Sequence, residues 1–360
     1  MSSTSSITDV AVLAKVSKAT VSRVLSGRRA KDDDIARRVK DAADQLNYQM
    51  NAAASALRSN TTTTIGLIAA DPTDAFTAHM LAELEPMVND DGRQLLVGIG
   101  SDAQTQTDRI EAMLGRQVDG IAVIPPKQNS ELPDLDRYVG RVPLVQIGGP
   151  TGALHVNWVG VDEIATIKLM LAHLAAHNAR SIAFLSSDID TDAAAQRFGT
   201  FQPSISTLGL MTQPGWTTVG DTTIARGYAD AMRLFAAPGG GSSSRRSERD
   251  TPEGVICATD DVAIGVLMAL NQLSVGVPDE VKVAGSGDAP ICAAAKPSLT
   301  STRPPYHLIA RETMRLLNAS SGKQHWLPAH VAFPQQLVQR DSTSSPRLGS
   351  SNMTSEEDEE

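Results

Sequence analysis

At 360 residues, 41% hydrophobic and 20% charged, the chain is long enough for two or three globular domains with sizeable cores. No run approaches the ~18 apolar residues of a membrane helix. The opening MSSTSSITDV lacks the charged and apolar regions of a signal peptide, so a cytoplasmic protein with no membrane partner is expected. Two cysteines, Cys257 and Cys292, supply neither a disulfide framework nor a metal set. A net charge of −9 argues against nucleic acid only until it is divided. Residues 1–60 carry ten Lys/Arg against six Asp, a net +4, which leaves −13 on the remainder. A basic head on an acidic body fits a small DNA-binding module joined to a domain with another task.

Residues 1–6 are expected to be disordered. The stretch ITDVAVLAKVSKATVSRVL, Ile7 to Leu25, predicts two short helices and a tight turn. The first spans about Thr8 to Ala14, with Thr8 as N-cap and Asp9 in the first turn, where a negative charge suits the helix dipole. The second starts at the N-cap Ser17 and runs to Leu25. Val10, Ala11, Ala14, Val16, Val21 and Val24 are spaced to pack one helix on the other. Lys18, Ala19, Thr20, Ser22 and Arg23 then face outward as a polar, cationic surface with no acid. That chemistry suits a helix in the major groove, its first residues at base edges and the rest at phosphates. Taken alone, the stretch fits a pair of helices with a merely solvated face equally well. A third helix, about Asp32 to Asn47, places Ile35, Val39, Ala42, Ala43 and Leu46 at helical spacing to close a three-helix core. Asn51 caps a further helix of about eight residues ending near Ser59. One that short is marginal in water and requires DNA or a second copy of itself.

At this point the chain resembles the LacI/GalR family of bacterial transcriptional regulators. The residues that carry the likeness are DVAxxAxVSxxTVSRVL at Asp9–Leu25, LNY at Leu46–Tyr48 and NxxAxxLR at Asn51–Arg58. The resemblance implies DNA contacts by Thr8, Ser17, Lys18, Ala19, Thr20, Ser22, Arg23 and Tyr48 in the head, and by Asn51, Ala54, Ser55 and Leu57 in a hinge helix. Two hinge helices of a homodimer would lie in the minor groove of a palindromic operator, with Leu57 as the wedge that unstacks a base step. Two positions depart from the pattern. Lys15 stands where the turn favours a small residue, and Met50 replaces the proline before the hinge.

From Thr64 onward, apolar runs alternate with helical patterns. The runs are IGLIAA (65–70), QLLVGI (94–99), GIAVI (120–124), PLVQI (143–147), SIAFL (181–185), GVICA (254–258) and VKVAG (281–285). The helices include Ala78–Asp91, Gln104–Arg116, Glu163–His177, Gly227–Phe235 and Val262–Leu273. This rhythm means doubly wound α/β sheets. The resemblance implies the type I periplasmic-binding-protein core, two parallel-sheet subdomains between which the chain crosses three times. The expected organisation is a helix-turn-helix domain (7–50), a hinge helix and linker (51–63), and an effector-binding and dimerisation core (64–340). A mobile loop (238–254) and a disordered acidic tail (341–360) complete it.

Enzyme readings fail on missing motifs. No GxGxxG follows the first strand, no GxSxG elbow is present, and the glycine run at 239–241 lacks the Lys-Ser/Thr ending of a phosphate loop. His173 and His177, four apart on one helix, have no third ligand and no HExxH context, so no metal, cofactor or catalytic residue is expected.

Ligands of α/β folds sit at the carboxyl ends of strands. That rule selects Asp71, Asp74 and Phe76 after the first predicted strand, Gly148 after the fourth and Ser186–Asp192 after the fifth. Thr259 and Asp260 follow the sixth, and Gly287 and Asp288 the seventh. The resemblance implies that Arg197 clamps ligand hydroxyls, that Phe76 lines the cleft, and that Thr222 stands where an aromatic residue stacks on a sugar. Simpler readings are a structural ion pair for Arg197 and core packing for Phe76. Thr259, Gly287 and Gly148 replace the family's usual Asn and Asp residues. The expected protein is a repressor of carbohydrate or polyol genes answering to a sugar, a cyclitol such as inositol, or a nucleoside. The alternatives are a global regulator governed by a protein corepressor and a non-regulatory sugar-binding protein.

Overall fold

The computed structural model describes residues 5–25, 33–48, 62–126, 132–149, 153–188, 192–236, 251–319 and 327–344. It divides into a helical head, residues up to Thr64 with Gln117–Asp119, and a larger α/β unit, Ile65–Arg116 with Gly120 onward.

In the head, α1 spans Ile7–Leu13, α2 Lys18–Leu25 and α3 Asp34–Gln45. Ser6, not Thr8, caps α1. Its hydroxyl accepts from the Asp9 amide while the Asp9 carboxylate accepts from the Ser6 amide at 2.8 Å, a reciprocal pair that satisfies two end-of-helix donors. Thr8 is an exposed residue in the first turn. Ser5 donates to the Leu46 carbonyl at 2.7 Å, so Ser5 and Ser6 belong to the folded head and not to a disordered tail. The α1–α2 turn carries Lys15 in the left-handed region, φ 55°, a conformation an L-residue adopts at a cost of roughly 1 kcal/mol. Asp33 caps α3 through the Ala36 amide. Val10, Ala11, Ala14, Val21, Val24, Ala36, Val39, Ala42 and Ala43 close the core, with Leu46 and Tyr48 packed on its edge. Ile35 is only half-buried; Ala36 takes the inward position because it lies on the same stripe as Val39 and Ala43. The hinge residues Asn51, Ala54, Ser55 and Leu57, with Met50, lie outside the described residues.

The α/β unit holds two six-stranded sheets. Their strands are β1 Thr64–Ala69, β2 Gln94–Ile99, β3 Gly120–Ile124, β4 Leu144–Ile147, β5 Asn157–Val161, β6 Ile182–Ser187, β7 Thr217–Gly220, β8 Gly254–Cys257, β9 Lys282–Ser286, β10 Thr300–Arg303, β11 His330–Phe333 and β12 Gln336–Val338. The first lobe orders them β11-β5-β4-β3-β1-β2 and the second β12-β10-β9-β8-β6-β7. Pairing is parallel between β1 and β3, Ile65 opposite Gly120, and between β6 and β8, Ile182 opposite Gly254. β12 lies antiparallel to β10, which departs from the all-parallel expectation. The helix Glu163–Ala176 follows a first-lobe strand but packs in the second-lobe core. Tyr306–Ala319 does the reverse. The chain therefore crosses between lobes at 161–163, 303–306 and 333–336. The helices Ile224–Phe235 and Asp260–Gln272 approach so closely that a Cβ on Gly227 would strike the Val262 carbonyl, and one on Gly265 the Ile224 carbonyl.

Two boundaries move. Ser342 and Thr343 are buried, and Ser342 bonds Val283, Ser298 and Thr300, so 341–344 belong to the second lobe and not to the acidic tail. Glu253 and Gly254 join that sheet, with both amides on the Ser181 carbonyl, so the loop expected over 238–254 ends before them.

Candidate nucleic-acid interface and effector cleft

On α2, the first turn holds no acid and the last holds Arg23. Lys18, Ala19 and Arg23 are exposed, Thr20 and Ser22 half-buried. Val21 and Val24 point into the core, which fixes the helix rotation and turns the cationic side outward. Ser17 accepts from the Thr20 amide at 3.1 Å, and the two hydroxyls meet at 2.9 Å. The head thus holds a short, acid-free helix rigidly enough to present it to a groove. Tyr48 braces the core edge.

In the first lobe the expected residues cluster only partly. Asp71 accepts from the Thr73 amide and hydroxyl, shaping the turn after β1. Asp74 caps the next helix through Thr77. Phe76 packs against the core cluster and tilts on Tyr306 at 5.7 Å. A Cβ built on Gly148 would stand 3.8 Å from the Phe76 ring.

In the second lobe Arg197 is ion-paired. Its guanidinium lies 3.5 Å from Glu163 and donates to Ser187 at 3.0 Å. Burial pushes the Glu163 carboxyl up, partly opposed by Arg197. The Arg197 Nε and the Ser186 hydroxyl are buried with no hydrogen-bond partner among the described residues, the polar provision a ligand hydroxyl would meet. Thr222 is half-buried just beyond β7. Thr259 caps its helix through Val262.

Asp260 does not offer itself to a ligand. It is 3% exposed, and its two oxygens accept from the Ser301 hydroxyl at 2.6 Å and the Ala289 amide at 2.8 Å. Burial pushes its carboxyl up, while those hydrogen bonds oppose the rise. Its role is to join β10 to the loop after β9. Gly287, at φ 126°, runs beside it, and a Cβ there would come 3.1 Å from the second Asp260 oxygen.

Three residues that sequence reasoning missed organise the region. Glu163 pairs with Arg197. Arg226 donates to the Ser186, Gly220 and Asp221 carbonyls and to Thr218, and pairs with Asp230 at 2.8 Å. It thereby clamps the ends of β6 and β7. The Arg226–Asp230–Arg233 spacing, i to i+4 and i+3 on a helix, was a readable signal. Tyr306 packs its ring in the first lobe and donates to the Gly287 carbonyl at 3.1 Å. Among the described residues no three His, Cys, Asp or Glu gather as a metal site, and no helix is long and apolar enough to cross a membrane.

Residues 6–51 match the family of bacterial regulatory proteins, lacI family, and residues 171–343 match a periplasmic binding protein-like domain. The chain is 25% identical over 344 residues to catabolite control protein A of Staphylococcus aureus (strain Mu50 / ATCC 700699), covering 94% of this chain and 99% of that protein. It is 26% identical over 339 residues to the HTH-type transcriptional repressor PurR of Vibrio vulnificus (strain CMCP6), covering 93% and 98%. The fold is similar to that of the lac repressor dimer bound to operator and the anti-inducer ONPF, with TM-score 0.77, 21% identity and 94% and 99% coverage. It is also similar to the transcriptional regulator CelR–cellobiose complex, with TM-score 0.65, 23% identity and 94% and 99% coverage.

Proposed function

We propose, from the match of residues 6–51 to the lacI family of bacterial regulatory proteins and the chain's likeness to transcriptional regulators, that the protein is a dimeric repressor released from a near-palindromic operator by a small polyhydroxylated effector. Lys18, Ala19 and Arg23 read the half-sites, and Leu57 completes the reader in the minor groove. The effector, a sugar, a cyclitol or a nucleoside, occupies the cleft at the strand ends of the two lobes. The observation that carries this reading is the Arg197 guanidinium at the end of β6. It donates to the Ser187 hydroxyl while its Nε is buried with no hydrogen-bond partner among the described residues, and a rigid multi-donor fork suits ligand hydroxyls. One structural neighbour is a regulator in complex with cellobiose, which favours the carbohydrate class.

An effector changes operator affinity only to the extent that it prefers one lobe arrangement, typically by ~1–3 kcal/mol. The test is a thermal-shift screen of sugars, polyols and nucleosides on the full chain, followed by an operator gel shift with each hit. A stabilising ligand that weakens the shift is expected. A hit that leaves the shift unchanged, or strengthens it, overturns induction by release.

A further inference from the structure

Two side chains flank the Pro304–Pro305 step at the second crossover, and both are tied to one two-residue loop of the second lobe. Arg303, the last residue of β10, pairs through its guanidinium with Asp288. Tyr306, the first residue of the returning helix, donates its hydroxyl to the Gly287 carbonyl at 3.1 Å. The loop that receives them is rigid. The Gly287 amide donates to Thr302, and the Asp288 amide donates to Ser301. Arg340, just beyond the third crossover, holds the other Asp288 oxygen at 2.7 Å. On the opposite side the Tyr306 ring is gripped by the first lobe. It meets the His79 ring edge-on at 4.6 Å and the Phe76 ring at 5.7 Å. One side chain therefore has its ring in one lobe and its hydroxyl bonded to the other, at the place where the backbone must turn when the lobes rotate. Burial, reinforced by the Asp260, Asp74 and Asp288 carboxylates, pushes the phenol up, so the hydroxyl keeps the proton it donates.

We propose that Tyr306 is a hinge lock: a positioning residue whose hydroxyl bond to Gly287 holds the Pro304–Pro305 crossover in one setting and thereby limits the angle between the lobes. Its consequence for gene control rests on the effector reading above, because the lobe angle is what a ligand would change. The lock itself does not depend on that reading. A neutral hydrogen bond of this type shifts a two-state balance by roughly two- to ten-fold. Losing it should let a minor lobe arrangement become visible.

The experiment needs neither ligand nor operator. Cys257 and Cys292 are buried, so spin labels can be placed at Glu85→Cys in the first lobe and Ser206→Cys in the second, both exposed positions. Labelled full-length chain is diluted into unlabelled chain to leave intramolecular distances, and the interlobe distribution is measured by double electron–electron resonance. Tyr306→Phe keeps the ring and removes only the hydroxyl. A broadened or shifted distribution, with the second population raised roughly two- to ten-fold, is expected. A distribution identical to that of the parent overturns the lock. A negative result here leaves the effector reading standing, and failure of every ligand in the thermal screen leaves the lock standing.

Discussion

Glu163→Gln and Arg197→Met perturb one buried pair from its two ends, and the variants should differ in size and in pH dependence. The side chains are 14% and 16% exposed and 3.5 Å apart. At an effective dielectric of about 20 their attraction is roughly 5 kcal/mol before desolvation is counted. Burial outweighs that attraction at Glu163, because its carboxyl is held above the ordinary range. The folded state thus keeps the Glu163 proton to higher pH than the unfolded chain does. Stability from this site is fully present below the ordinary carboxylate range and declines as pH rises through the folded value. A neutral amide of the same shape should therefore cost nothing near neutral pH, and it should remove this site's share of the pH dependence. Arg197→Met does the opposite. It strips the one influence that lowers the carboxyl and leaves an unpaired buried charge, a loss of about 2–4 kcal/mol near neutral pH. That loss should shrink as pH falls and the carboxylate takes a proton. Urea unfolding followed by circular dichroism at about pH 5 and about pH 8 measures both. A Glu163→Gln variant as unstable as Arg197→Met near neutral pH would refute the reasoning, because attraction would then exceed the cost of burial.

Two further outcomes are expected. His173 is buried against Thr343 at 2.8 Å, and burial followed by His177 lowers its pKa from 6.5 to about 4. The unfolded chain takes the proton first, so stability from this site is complete above pH 6.5 and falls as pH drops from 6.5 toward about 4. The loss is at most ~3 kcal/mol; His173→Gln should flatten that window in pH-dependent melts, and an unchanged profile would count against it. On the head, Arg23→Ala should cost operator binding about 1–3 kcal/mol and relax specificity at the base pair it reads, with non-specific binding little changed. Fluorescence anisotropy across single-base operator variants reads this directly, and unaltered specificity would remove Arg23 from the half-site readers.

Much of the architecture was legible in the residues because it follows from local rules. Ser17 acts as a cap because a short hydroxyl side chain satisfies a helix-end amide. Val10, Val21 and Val39 close the head core because their spacing puts them on facing stripes. Seven apolar runs marked strands because a parallel sheet covered on both faces must be apolar along its length. Among the strands that escaped notice, β10 is buried through polar side chains. Thr300, Ser301 and Thr302 of β10 are fully buried, and no apolar run announces them. Their hydroxyls are satisfied by Asp260 and Ser286 and by Thr343 at 2.7 Å, partners that only the folded chain supplies.

The site shows the same division. Strand-end positions selected Asp260, Gly287 and Asp288 by topology alone, whereas Arg197 was reached only through the family resemblance. What each does depended on neighbours distant in sequence. Asp260 became a buried tie because Ser301 and Ala289 reach it. Arg197 acquired Glu163 because the first crossover delivers that acid to it. Tyr306 gained its place because its ring and its hydroxyl end in different lobes. The amino-acid sequence by itself determined the head, the alternating core and the acid-free face of α2, since caps, helical spacing and apolar runs act within a few residues. Only the tertiary structure decided which charges are paired, which hydroxyls are engaged and what holds the crossovers, because those depend on contacts closed across tens to hundreds of residues.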